Sequence, residues 1–65
     1  MDNENVSEEL EQKIISVLKD EVKGAAVLLV SKKVGLNPTE TRKILEALVE
    51  KGLVERKGRN YKLKT

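Results

Sequence analysis

A mostly α fold, three helices closed by a small β-hairpin, is what this sequence predicts, on three observations. Tyr61 is the single aromatic residue among 65, with no phenylalanine or tryptophan, so the core must be thin and aliphatic, which suits helices packed on a short hairpin. Two long stretches repeat apolar residues at helical spacing, from Leu10 to Leu18 and from Thr41 to Val49. Near the C-terminus two short runs, Leu53 to Arg56 and Tyr61 to Lys64, flank the Gly and Asn content of a hairpin turn at Lys57 to Asn60, the second run alternating apolar and basic residues.

The first helix is expected from Ser7 to about Asp20. Ser7 reads as an N-cap, and Glu8, Glu9 and Glu11 follow where carboxylates meet the positive end of the helix dipole. Leu10, Ile14, Val17 and Leu18 fall at i, i+4, i+7 and i+8 and form one apolar stripe, widened by Ile15 and Val22. Residues 1–6 are short, polar and terminal, so a disordered acidic tail precedes a domain spanning 7–65. Lys23 and Gly24 break the pattern. A short extended piece near Ala25 and a second helix from about Val27 to Val34 come next, core in the main, with Leu29 or Val30 exposed if that helix is short.

Gly35 supplies the positive φ of a tight turn between helices, and Leu36 plugs the angle. Asn37, Pro38 and Glu40 then spell a helix start: a cap oxygen, a proline whose missing N–H costs nothing, and a glutamate able to reach back to the cap. Thr41, Ile44, Leu45, Leu48 and Val49 give the buried stripe of a third helix, closed by Gly52. Leu53 to Arg56 and Tyr61 to Lys64 are two strands around Lys57, Gly58, Arg59 and Asn60, with Tyr61 and Leu63 on one face and Lys62 and Lys64 on the other.

Composition excludes several functions. Cysteine and histidine are absent, which removes disulfides, zinc sites of the usual kind, thiol nucleophiles and imidazole bases. Glu40, Glu46 and Glu50 lie along one solvated helix with no pocket to raise a pKa, so neither an enzyme nor a small-molecule cofactor is expected. The longest apolar run, Ala25 to Val30, falls far short of the ~20 residues of a membrane span. With an acidic N-terminus in place of a signal peptide, a cytoplasmic protein is expected, nucleoid-associated in a prokaryote, with no membrane partner. Residues 1–21 carry two basic and seven acidic side chains, a balance of −5, whereas residues 22–65 carry eleven and four, a balance of +7. The positive field therefore belongs to the helix pair and hairpin.

The segment GLNPTETRKILEALVEKGLVER resembles the recognition-helix region of MarR-type winged helix-turn-helix regulators, with their GLS-P opening and K-G-L-V-x-R exit. The resemblance covers about residues 25–64 and implies a three-helix winged helix-turn-helix, its third helix in the major groove of DNA and its wing on the backbone or in the minor groove. By position it implies contacts from Thr39, Glu40, Arg42, Lys43 and Glu46 on the helix, and from Lys57 and Arg59 in the wing. The opening LEQKII also looks like the Z-form nucleic-acid-binding winged helices. There the likeness stops, because that family's helix asparagine and tyrosine align with Arg42 and Glu46, and its wing prolines and tryptophan are missing from KGRNYKL. MarR-type dimers use further terminal helices, so the resemblance does not itself imply a dimer here, and any weak homodimer would have to use the first helix or the run near Val27.

Charge separates the two halves of the motif. From Thr39 to Lys51 the third helix is neutral, and its plainer reading is a solvated face with Arg42 paired to Glu46, and Lys43 to Glu46 or Glu50. Arg56, Lys57, Arg59, Lys62 and Lys64 crowd the hairpin against one acid, Glu55, while Lys32 and Lys33 add charge near the corner. Such a cluster exceeds what protecting a sheet edge needs, so phosphate contact is expected, with Tyr61 kept for the core. The expected function is binding of double-stranded DNA by a small transcriptional regulator. The alternative is a winged-helix protein-interaction module within a transcription or chromatin assembly.

Overall fold

The computed structural model describes residues 3–64, with side chains described from Glu8 onward. Helix α1 (Asn3–Asp20) begins ahead of Ser7, which lies inside it and does not cap it. Glu4, Glu8 and Glu9 fall in the first two turns, where the helix dipole favours acids, so local electrostatics gives no reason to start at Ser7. Of the tail expected over residues 1–6, residues 1 and 2 lie outside the described residues. The helix ends as expected. Glu21 and Gly24 close a turn by donating to Leu18 O and Glu21 O, and Val22, placed in that turn, is 72% exposed and does not widen the stripe.

Strand β1 (Ala25–Ala26), helix α2 (Val27–Val34), helix α3 (Pro38–Glu50), strand β2 (Val54–Lys57) and strand β3 (Asn60–Leu63) follow. The three strands form one antiparallel sheet in the order β1-β3-β2, so the hairpin expected from the sequence gains a third strand from the segment ahead of α2. Ala25 lies opposite Tyr61 on one side of β3, and Arg56 opposite Tyr61 on the other. Gly24 makes this approach feasible: at φ 103° any Cβ there would stand 3.2 Å from the Tyr61 carbonyl oxygen.

Every element contributes to the core. Ile14 and Leu18 come from α1, Ala25 from β1, Val30 from α2, Leu45 and Leu48 from α3, Val54 from β2 and Tyr61 from β3. Val30 is thus wholly buried, and it is Leu28 and Leu29 that α2 leaves exposed. The two buried hydroxyls are satisfied locally: Ser31 Oγ donates to Leu28 O and Thr41 Oγ1 to Asn37 O, each at 2.9 Å.

The corner between α2 and α3 follows its sequence signals. Gly35 has φ 78°, and both Gly35 and Leu36 donate to Ser31 O. Asn37 Oδ1 accepts from the Glu40 N–H at 2.8 Å with Pro38 in the first turn. Among the described residues the Glu40 carboxylate makes no return bond to the cap. At the other end Lys51, Gly52 and Leu53 donate to Ala47 O, Val49 O and Leu48 O, which turns the chain into β2. No helix among the described residues is long and apolar enough to cross a membrane.

Because the cap is a single side-chain bond, Asn37→Ala is expected to cost about 1 kcal/mol. For a domain this small that lowers the melting temperature by about 4–8 °C, whereas Asn37→Ser retains most of it. Thermal unfolding followed by circular dichroism measures the difference.

Candidate nucleic-acid interface

The outward side of α3 begins with Thr39, Glu40, Arg42 and Lys43, all exposed because they lie off the Thr41, Leu45, Leu48 stripe. Glu46 comes one turn after Arg42, yet its carboxylate turns toward the sheet. Its Oε2 accepts a hydrogen bond from the Tyr61 hydroxyl and lies 3.4 Å from Arg56 Nη1. The solvated pairs expected within α3 are therefore not formed: among the described residues no carboxylate pairs with Arg42 or Lys43. A buried phenol demands a partner, and that demand outweighs an exposed pair worth ~0.2–0.5 kcal/mol. Glu46, expected as a DNA contact, serves as a clasp between α3 and the wing.

Tyr61 carries the electrostatic signature of that clasp. Its pKa is raised above the ordinary 10.0, first by burial, then by the hydrogen bond to Glu46 and that carboxylate's charge, with Arg56 acting in the opposite sense.

Register divides the basic hairpin into two faces. Arg56 shares the face of Tyr61, toward the helices, whereas Lys57 and Lys62 share the opposite face with Glu55, which lies 4.0 Å from Lys57 Nζ. Arg59, in the two-residue loop between the strands, is exposed. Lys62 is half-buried. The remaining candidates stand apart, since Lys32 and Lys33 occupy the last turn of α2, and Lys33 lies 3.5 Å from Glu21. Thus Arg42, Arg56 and Arg59 are brought together, while Lys32, Lys33, Lys57 and Lys62 are not brought to them.

What unites the three arginines is a groove of about 440 Å³ between the start of α2, the start of α3 and the wing. Ala26, Val27, Leu28 and Pro38 give it apolar walls, and none of its lining residues is acidic. Sequence reasoning missed Leu28. The signal was present: Val27, Val30 and Val34 recur at i, i+3 and i+7, which leaves Leu28 off the buried stripe.

No protein-family model, no curated protein and no solved structure matches this chain.

Tyr61→Phe keeps the ring and deletes the hydroxyl, and because Glu46 stays in reach of water the expected cost is about 1 kcal/mol. The phenol itself is expected to titrate above 10.0 when followed by ultraviolet absorbance. Since its folded pKa exceeds the unfolded one, its stabilising contribution is complete below pH 10.0 and is lost as pH rises through the folded value.

Proposed function

We propose that this protein binds double-stranded DNA as a small winged-helix regulator, with α3 in the major groove and the wing on the phosphate backbone. One observation carries the reading. The carboxylate that stands between the start of α3 and the wing, Glu46, is taken up by Tyr61 and Arg56, so Arg42, Lys43 and Arg59 face outward with no acid partner among the described residues. Guanidinium and ammonium groups left uncompensated on neighbouring convex elements suit a polyanion whose phosphates flank a groove. The resemblance to MarR-type regulators supports the same arrangement. Thr39, Arg42 and Lys43 would read base edges, and Arg59 at the hairpin loop would hold phosphate.

A second reading has its own observation. Leu28 and Leu29, consecutive in α2, are 64% and 38% exposed, which favours a protein-interaction module.

Fluorescence anisotropy with a random duplex over a salt series tests the first reading. Neutralising about five phosphates gives a log-log slope of about −4 to −5, and absence of binding at low salt leaves only the second. Arg59→Ala is expected to reduce the slope by about 1 for every sequence, whereas Arg42→Ala costs about 1–3 kcal/mol on a preferred site and little elsewhere.

A further inference from the structure

Two depressions flank the outer side of α3, and they differ in charge. The one along the helix includes Arg42 and Lys43 but also Glu46 and Glu50, so it offers an anion both attraction and repulsion. The groove between α2, α3 and the wing has Arg42, Arg56 and Arg59 and no acid in its lining. Of the three only Arg56 has a carboxylate partner among the described residues, Glu46 at 3.4 Å from Nη1, which leaves its other N–H donors for a ligand. Its apolar side is equally distinctive. Leu28, 64% exposed, stands with Pro38 beside the guanidiniums.

A ligand for this groove must therefore be anionic at one end and apolar or aromatic at the other. A phosphate alone would leave Leu28 and Pro38 in water, and a regular duplex keeps the flat faces of its bases stacked inside, offering a surface only phosphate, sugar and base edges. One unpaired nucleotide meets both requirements, because its phosphate suits the bidentate arginine fork and its base has flat faces that stack on guanidinium planes and cover a leucine. The volume of about 440 Å³ lies within the ~300–1,000 Å³ typical of pockets for molecules of that class. Arg42 and Arg59 also belong to the outward basic surface, so a strand held there runs on into the groove.

We propose that this groove receives a single unstacked nucleotide, its phosphate on Arg56 and Arg59 and its base against Leu28 and Arg42. This rests on the nucleic-acid reading and narrows it: the preferred ligand is a duplex bordered by an unpaired nucleotide, not continuous duplex.

The experiment compares three labelled DNAs by anisotropy at one salt concentration: a blunt duplex, the same duplex with a short single-stranded overhang, and the same overhang built from abasic sugars. The two overhangs carry equal phosphate charge, so their difference reports the base alone. Wild-type protein is expected to bind the base-bearing overhang about tenfold more tightly than the abasic one, within the range of stacking one base. Leu28→Ser, at an exposed position, is expected to abolish that difference. Equal affinity of wild-type protein for the two overhangs overturns the proposal while leaving duplex binding in place. So does a Leu28→Ser variant that retains the tenfold preference, or an acidic leucine-containing peptide that competes while the overhangs bind alike. Failure of all three DNAs to bind removes the nucleic-acid reading itself.

Discussion

Burial of Tyr61 constrains more of this molecule than any other contact. In a chain without phenylalanine or tryptophan it is the largest flat side chain available to seal the sheet against the helices, and it occupies the central strand, between Ala25 and Arg56. A buried phenol left without a partner costs about 1–3 kcal/mol, so an acceptor must be supplied from the facing element. Glu46 is that acceptor. A demand of the core thus fixes a carboxylate midway along α3, one turn after Arg42. Arg56, directly across the ladder from Tyr61, then compensates the charge. The wing is held to α3 by this polar contact as well as by Val54 packing in the shared core.

The ion pairs matter less for stability than for which charges they remove from circulation. Glu11 with Lys51, Glu21 with Lys33, Glu46 with Arg56 and Glu55 with Lys57 are solvated pairs, each contributing about 0–1 kcal/mol. Their distribution is what shapes the outer field. Lys51 is drawn to α1 and away from the α3 face, and Lys57 has an acid beside it, so the cations at the start of α3 and at the hairpin loop are those least compensated. The helix stays formally neutral after this sorting, since Lys51 and Glu46, the charges engaged by α1 and the wing, are opposite in sign; what changes is that Arg42 and Lys43 keep no carboxylate partner among the described residues.

Local signals made most of the architecture legible. The Asn37, Pro38 start, the Gly35 turn and the bounds of α2 depend on residues within one or two turns of each other, and these fall where the sequence placed them. The start of α1 was misplaced because Ser7 has a cap's chemistry, while the acids before and after it suit a helix interior near the N-terminus equally well. The candidate site was legible only as a set of residue types. Helical spacing pairs Glu46 with Arg42 or Lys43, but its real partners lie ten and fifteen residues away across the fold. Likewise the five cations of the hairpin look equivalent in sequence, and only register separates Arg56, facing the helices, from Lys57 and Lys62 on the other side. Pairing across a sheet and contact between elements are nonlocal, and no periodicity encodes them.

The same separation bears on how such a surface could discriminate between ligands. Uncompensated cations attract any polyanion, and their contribution falls with salt regardless of sequence or form. Discrimination requires a contact that one ligand completes and another leaves open, because an apolar wall left in water or a guanidinium left without its second bond is lost affinity. In this molecule apolar walls and guanidiniums stand together without an acid in the groove bounded by Leu28, Pro38 and the three arginines. Leu28, Pro38, Arg42, Arg56 and Arg59 are also exposed and outside the cluster of Ile14, Leu18, Leu45 and Leu48 that holds the fold. Substitutions at Leu28, Arg42 and Arg59 are nearly free of folding cost, whereas Pro38 opens α3 and Arg56 pairs with Glu46. Specificity in this scaffold can therefore change without disturbing the core, whereas the clasp that sets the wing against α3 cannot.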